Sequence, residues 1–263
     1  MDCLKCIFYG HLMNDTIFNK NGEMSRKLGG IANNWWAFNE IAKSSDSHLD
    51  NVPICDVYPY YIGEALILES GSERFMKSCV NMKKMYQGIV ECKWAHLSYI
   101  NYLELTPISL KSVLEKSQFS SVDLCKADDI NVSSNWVNML KDIDIIFISS
   151  DEFDDYVLRS KIEVDSDRRP QYIVSHNKMG SSILYLQNNE RVDISLNELK
   201  IKHVTDVDVC GCGDFFASSV IYYLVNDCIG NIPLTRLIEA VKFGHKKVEW
   251  ILQNKKNKCK DSF

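Results

Sequence analysis

Short, nearly continuous hydrophobic runs recur along the chain and are typical of β-strands that are buried on both faces. Such runs occupy residues 6–10, 65–70, 95–100, 120–124, 143–149, 172–176 and 182–187. Segments with a helical spacing of hydrophobic residues lie between several of them, notably at residues 33–45 and 105–118. This alternation of strands and helices predicts a mainly parallel sheet that is covered by helices on both faces.

Three regions depart from this alternation. Residues 56–76 are strand-like with little helical pattern, which predicts an antiparallel flap on the α/β body. Residues 213–227 are hydrophobic on nearly all sides, as in a buried helix, and residues 232–253 form an amphipathic one. The lysine-rich residues 255–260 predict a frayed tail. With 263 residues and neither an internal repeat nor a low-complexity linker, one domain is the simpler interpretation.

Charge and cysteine content narrow the class of protein. The net charge of −5 gives no reason to expect binding to nucleic acid or to a membrane. The first residues lack the hydrophobic core of a signal peptide, and no run approaches the roughly 18 apolar residues of a membrane span. We therefore expect a cytoplasmic protein whose ten cysteines are reduced thiols. The CxxC of Cys3 and Cys6 lies on a predicted strand, where such positions face opposite ways, so we expect no metal site from the cysteines.

Two glycines and a carboxylate stand directly before the buried helix, in the stretch DVCGCGDFF at residues 208–216. Gly211 and Gly213 allow successive backbone N–H groups to face one point, and the helix N-terminus adds partial positive charge, so the stretch predicts an anion site. Asp214 then acts either as a helix N-cap or as a general base beside that site. The GxxxxGK[ST] pattern of P-loop proteins is absent.

The same stretch resembles the DTxGAGDxF signature of the ribokinase-like (PfkB) carbohydrate kinases. The matching positions are Asp208, Gly211, Gly213, Asp214 and Phe216. Val209 and Cys212 stand where the family usually has Thr and Ala.

Four further segments match the family in the expected order. YGHLMND (9–15) resembles its opening strand, and LGGIANNWWAFNEIA (28–42) resembles its GGxxxNxA signature. IDIIFISSDEF (143–153) resembles the strand that leads into the NxxE motif, with Ser149 in place of Asn. IVSHNKMGSSILY (173–185) resembles the TxGxxG nucleotide-binding turn, with Ser175 for Thr and Asn177 for the first Gly.

The resemblance implies a single ribokinase-like domain over residues 1–263. Its fold would be a three-layer α/β/α sandwich with a mainly parallel central sheet and a small β lid, formed by about residues 12–27 and 56–76. It implies a kinase that transfers the γ-phosphate of ATP, with Mg²⁺, to a hydroxyl of a sugar, nucleoside or similar small molecule. It is also compatible with a homodimer, which the sequence alone does not decide.

The resemblance also assigns roles in the transfer itself. Asp214 would be the general base, and the backbone amides of Gly211, Cys212 and Gly213 would form the anion hole. The acceptor would be bound by four residues of the first two motifs. These are Asp15, Gly29, Gly30 and Asn34.

On the nucleotide side, Ser175 and Gly180 would line the ATP pocket, and Asp208 would belong to a loop that binds a monovalent cation in relatives. Glu152 would organise Mg²⁺ through water. The departures at Ser149, Asn177 and Val209 leave an alternative open, namely a non-catalytic member of the family that binds a ligand or regulates.

Two groups of residues have no assigned role. We expect Trp35 and Trp36 to fill core, although packing under the lid or stacking on a ring of the acceptor stays open. We expect Arg26, Lys27 and Arg74 to be solvated charges, with binding of a phosphate already on the substrate as the alternative.

Overall fold

The computed structural model describes residues 5–19, 21–44, 54–70, 73–84, 90–98, 107–124, 140–149, 171–187, 190–201 and 211–260. The strands in these ranges are β1 (Lys5–Phe18), β2 (Met24–Gly30), β3 (Ile54–Ser70), β4 (Glu73–Lys84), β5 (Cys92–Ser98), β6 (Ser117–Leu124), β7 (Ile145–Ser149), β8 (Gln171–Asn177), β9 (Gly180–Gln187) and β10 (Glu190–Leu196). The α-helices are α1 (Ile31–Ser44), α2 (Pro107–Glu115), α3 (Cys212–Asp227) and α4 (Leu234–Lys260), and a 3₁₀ turn covers Asn197–Leu199.

All of these strands join one sheet of ten strands, in the order β10-β9-β8-β7-β6-β5-β1-β3-β4, with β2 paired to β1. The pairs from β8 through β7, β6, β5 and β1 to β3 are parallel. The two ends and the β1–β2 pair are antiparallel. The mainly parallel α/β fold predicted from the sequence is thereby confirmed.

Hydrophobic side chains cover the sheet on both faces, as the continuous hydrophobic runs predict. One core contains Phe8 and packs the sheet against α1, α3 and α4. The other contains the adjacent residue Ile7 and packs the opposite face against α2. Successive residues of a strand point to opposite faces, so β1 contributes to both cores and must be apolar at every position there.

The sheet changes character along β1. Residues 6–9 of β1 lie between β5 and β3, whereas residues 12–18 lie between β2 and β3. The register of β1 against β3 shifts between Gly10 and His11. Beyond this shift lies a part of the sheet that we call the strand extension. It consists of residues 12–18 of β1, the whole of β2, residues 61–70 of β3, and the whole of β4. It has a small core of its own, made of Met13, Ile17, Ala65 and Ile67.

Three local predictions differ from the structure. The flap predicted at residues 56–76 is antiparallel only toward β4, because β3 runs parallel to β1 over its whole length. The helix predicted at residues 105–118 ends at Glu115, and β6 begins at Ser117. The tail predicted at residues 255–260 continues α4 to Lys260. Within the described ranges, none of the helices has the length and hydropathy that crossing a membrane requires.

Candidate active site

Asp214 lies in the first turn of α3, where the sequence predicts an anion site. Gly211 is the N-cap of α3 and has a φ of 77°, a left-handed conformation that glycine adopts at little cost. The amide of Phe215 donates to the Gly211 carbonyl at 2.9 Å, which closes the first turn. The Asp214 side chain is buried at the N-terminal end of the helix, where the helix dipole is positive.

Asn33 reaches Asp214 from the neighbouring helix. Its Nδ2 donates a hydrogen bond to Asp214 Oδ2 at 3.0 Å. A Cβ added to Gly211 would lie 3.6 Å from Asn33 Cγ, so the asparagine also lies against the loop that precedes α3. The first turn of α1 therefore contacts both the carboxylate and the predicted anion hole. The sequence analysis assigned no role to Asn33.

The adjacent Asn34 points into the protein. It is fully buried, and Ser98 donates a hydrogen bond to its Oδ1 at 2.8 Å. Its Nδ2 lies 3.4 Å from the Asp214 carbonyl and 3.4 Å from Ser218 Oγ, and Ser218 Oγ donates to the Asn34 carbonyl at 3.2 Å. Both ends of the carboxamide thus contact protein groups that join α1, α3 and β5. These bonds hold the start of α1 against α3 and β5. The expected contact of Asn34 with an acceptor stays a prediction.

Asp15 lies where β1 passes beside β2, and its side chain is buried. A Cβ added to Gly29 would lie 2.1 Å from Asp15 Oδ2, 2.7 Å from Cγ and 2.8 Å from Oδ1. The carboxylate therefore rests directly on the Gly29 backbone. Any larger residue at position 29 would displace it.

Gly30 is required for a different reason. It has a φ of 63°, and an added Cβ would lie 2.0 Å from the carbonyl oxygen of His11. The left-handed conformation turns the chain from β2 into α1 within one residue. Gly29 thus leaves room for the Asp15 side chain, and Gly30 leaves room for the backbone of His11.

These contacts bring together the residues predicted to bind the acceptor and the predicted base. Asp15 lies on Gly29, the next residue begins the turn into α1, and the first turn of α1 carries Asn33 to Asp214. The strand extension and the start of α3 therefore meet through one segment of six residues, which begins beside the middle of β1, where Gly29 and Gly30 pair with Met13 and Leu12.

The predicted nucleotide turn forms a tight hairpin between β8 and β9. Ser175 is buried, and its hydroxyl lies 2.5 Å from that of Ser182 on β9. Asn177 Oδ1 accepts a hydrogen bond from the amide of Met179 at 2.7 Å, which closes the turn with a side chain where the family has glycine. A Cβ at Gly180 would lie 2.6 Å from the carbonyl oxygen of Leu196, so packing against β10 accounts for this glycine.

A cluster of two histidines and Phe216 lies behind the loop that is predicted to form the anion hole. The His176 ring lies 4.6 Å from the Phe216 ring and 3.5 Å from the position of a Cβ on Gly213, and the His245 ring lies 5.1 Å from Phe216 on α3. Burial lowers the pKa of His176 to about 4, with a contribution from His245, whose own pKa burial also lowers to about 4. Both rings are therefore neutral at physiological pH. The sequence motifs assign no role to either histidine.

The remaining predicted residues either lie outside the described ranges or differ from the expectation. Asp208, Val209 and Glu152 lie outside the described residues, so the roles predicted for Asp208 and Glu152 stay predictions. The expectation that Trp35 and Trp36 fill core is wrong, because their side chains are 45% and 43% exposed. Among the described residues, no group of three or more His, Cys, Asp or Glu side chains is arranged to hold a metal ion.

Comparison with known proteins adds a structural result. No protein-family model and no curated protein sequence matches the chain. Adenosine kinase from Schistosoma mansoni in complex with 2-fluoroadenosine aligns with a TM-score of 0.64 at 13% identity, over 94% of this chain and 94% of that one.

Two further solved structures align over most of their length. Aminoimidazole riboside kinase from Salmonella enterica, complexed with aminoimidazole riboside and an ATP analogue, gives a TM-score of 0.61 at 13% identity, over 93% of this chain and 92% of that one. Fructokinase from Vibrio cholerae gives 0.59 at 13% identity, over 95% and 99%. The chain has the ribokinase-like fold. The ribokinase-like architecture predicted from five short motifs is thereby confirmed.

Proposed function

We propose that the protein is an ATP-dependent kinase that transfers the γ-phosphate to a hydroxyl group of a small molecule. The observation that carries the proposal is the Asp214 carboxylate, buried in the first turn of α3 and held by Asn33 from α1. The structural likeness to sugar and nucleoside kinases supports the same reaction class.

In this reaction Asp214 accepts the proton of the acceptor hydroxyl as that oxygen attacks the γ-phosphate. The backbone N–H groups of Gly211, Cys212 and Gly213 stand at the positive end of α3, where they stabilise the negative charge that develops on the phosphoryl oxygens. One such donor typically lowers a barrier by about 3 kcal/mol. Cys212 takes part through its backbone, so its replacement of the usual alanine leaves this role intact.

On the acceptor side, Asp15 supplies a carboxylate that can receive hydrogen bonds from two hydroxyl groups at once. Its position on Gly29 fixes it relative to the first turn of α1. The strand extension that carries Asp15 acts as the lid of the site. The acceptor class that fits is a small molecule with neighbouring hydroxyl groups, such as a sugar or a nucleoside.

On the donor side, the hairpin of Ser175 and Gly180 lies at the carboxyl end of β8, beside the start of α3. It lines the nucleotide pocket through its backbone, since the Ser175 hydroxyl already contacts Ser182. Mg²⁺ bound to ATP would neutralise phosphate charge, and it keeps much of its hydration shell in such sites. Glu152 is the residue that we propose to contact this water shell.

The test is ADP release with ATP, Mg²⁺ and a panel of sugars, sugar phosphates and nucleosides. We expect one acceptor class to give turnover, and we expect Asp214→Asn to lower it by about 100-fold or more, as loss of a general base does. Asp227→Asn is the matched control, because it makes the same change at the opposite end of α3. Asp227 forms an exposed ion pair with Arg236, so this variant should keep full activity.

Thermal stability separates catalysis from binding alone. ATP should raise the melting temperature of both the wild type and Asp214→Asn, because the base is not needed to bind the nucleotide. Stabilisation by ATP without turnover of any acceptor would favour a non-catalytic ligand-binding protein. Full activity of Asp214→Asn would refute the assignment of the base.

A further inference from the structure

The Asn33 side chain donates a hydrogen bond to the Asp214 carboxylate. We propose that Asn33 is a positioning residue that fixes the orientation and the ionisation of Asp214. The hydrogen bond is independent of any substrate. Its catalytic meaning rests on the proposed function.

The bond has a direct geometric consequence. Asn33 Nδ2 binds Asp214 Oδ2 at 3.0 Å, which fixes rotation of the carboxylate and thereby the direction of Oδ1. A general base works only when the oxygen that takes the proton is within hydrogen-bond reach of the hydroxyl. A carboxylate free to rotate would present that oxygen in the productive direction for part of the time only.

The bond also favours one protonation state. An amide N–H donates to a carboxylate more strongly than to a neutral carboxylic acid, so it stabilises the charged form and lowers the pKa of the acid. The α3 N-terminus acts in the same sense. Asn33 therefore extends the pH range in which Asp214 is able to accept a proton.

The position of Asn33 is itself fixed. The next residue, Asn34, ties α1 to Ser98 on β5, to Ser218 and to the Asp214 carbonyl. The Asn33 side chain thus leaves a helical turn that is anchored to the same helix as its target. It lies against Gly211 as well, so one amide group links the base to the loop of the anion hole.

Titratable groups on the elements packed around this corner include His176 of β8, which lies against Gly213, and His245 of α4. On β1 they include Asp15, which rests on Gly29, and His11, whose ring lies beside Gly30. The three histidines are neutral above about pH 5, because burial lowers the pKa of each to about 4.

Carboxyl ¹³C NMR of protein labelled in its aspartates measures the ionisation without any substrate. The Asp214 signal is the one that is missing in Asp214→Asn. In Asn33→Ala we expect its titration midpoint to rise by about one pH unit, the order expected for loss of one hydrogen bond to a charged group. In Asn33→Asp we expect a larger rise, because a second carboxylate replaces the donor.

Asn39→Ala is the matched control. It removes an asparagine from the same helix whose amide binds only the Trp35 carbonyl, at 2.8 Å. We expect the Asp214 midpoint of this variant to equal that of the wild type. Asn33→Gln, which restores an amide donor, should bring the midpoint part of the way back toward the wild-type value.

Kinetics then test what the bond does for the reaction. With the acceptor found for the wild type, we expect Asn33→Ala to lower kcat about tenfold and to leave KM for ATP unchanged. The acid limb of its pH profile should move upward together with the NMR midpoint. A variant that lost activity through general damage to the structure would not move that limb.

Two results would overturn the proposal. An Asp214 midpoint that is the same in Asn33→Ala, Asn33→Asp and the wild type would show that the bond does not control ionisation. An unchanged kcat in a variant whose midpoint has moved would show that the bond does not serve the reaction. If the midpoint moves while the wild type phosphorylates no acceptor, the link to Asp214 is upheld and the proposed function fails.

Discussion

Gly29 provides a test of the site that does not depend on knowing the acceptor. An alanine there would place its Cβ 2.1 Å from Asp15 Oδ2 and 2.7 Å from Cγ, well inside van der Waals contact. Gly29 does not have a positive φ, so backbone conformation does not require glycine there. The clash with Asp15 is the reason why glycine is needed. Gly29→Ala should therefore push the Asp15 carboxylate away from its observed position.

The size of the effect follows from the role that we propose for Asp15. Forcing an extra methyl group into a packed site costs about 1–3 kcal/mol of folding stability. If the acceptor loses one hydrogen bond to a charged group, worth about 1.5–3 kcal/mol, kcat/KM for the acceptor falls roughly 10- to 150-fold. The KM for ATP should change little, because we propose that Asp15 binds the acceptor and not the nucleotide.

The assay is a double-mutant cycle on thermal or urea unfolding. Asp15→Ala removes the atoms that the new Cβ would meet, so Gly29→Ala should destabilise the wild type but scarcely destabilise Asp15→Ala. Gly30→Ala is the control, because its Cβ would meet the His11 carbonyl oxygen at 2.0 Å in either background. Equal destabilisation by Gly29→Ala in both backgrounds would refute the reasoning.

Two further predictions concern stability. In Gly244→Ala the new Cβ would lie 2.9 Å from the ring of Phe216, and we expect a net loss of about 1 kcal/mol in urea unfolding, because overpacking outweighs the gain in helix propensity. A stabilised variant would contradict this. Burial lowers the pKa of each histidine within the described ranges, namely His11, His96, His176 and His245. Below about pH 6.5 these histidines bind protons in the unfolded chain but not in the folded one. The free energy of unfolding should therefore decrease as the pH is lowered, by about 1.4 kcal/mol per pH unit for each histidine, until its folded pKa is reached. His96→Gln removes one of these protons, so the pH dependence of the unfolding free energy should become less steep by about 1.4 kcal/mol per pH unit. Urea unfolding midpoints between pH 7.5 and 5 measure this slope, and an unchanged slope would contradict the prediction.

Much of the fold followed from the sequence because buried parallel strands require continuous hydrophobic runs. The ten-stranded sheet contains a strand at every such run. The parallel course of β3 did not follow, since its neighbour is chosen by long-range pairing with β1 that no local pattern contains.

The candidate site was predictable only in part. The motif located Asp214 and the glycines, but it selected Asn34, whose carboxamide is buried, and passed over Asn33, which contacts the base. On a helix these neighbours point about 100° apart, and only the packing of α1 shows which one turns inward. The same geometry exposes Trp35 and Trp36, because the buried side of α1 carries Ile31, Asn34, Phe38 and Ile41.

In the proposed kinase, the segment from Gly29 to Asn34 connects two tasks that must be performed together. Its first residue supports Asp15, Asn33 donates a hydrogen bond to the Asp214 carboxylate, and Asn34 ties the helix to α3. A shift of this segment would therefore move the acceptor contact and the base in the same direction. If the strand extension closes over an acceptor, the motion reaches β2 and then α1 through Gly30, whose backbone has little freedom beside the His11 carbonyl. Binding of the correct acceptor would thus be coupled to alignment of the base, because the same six residues carry both.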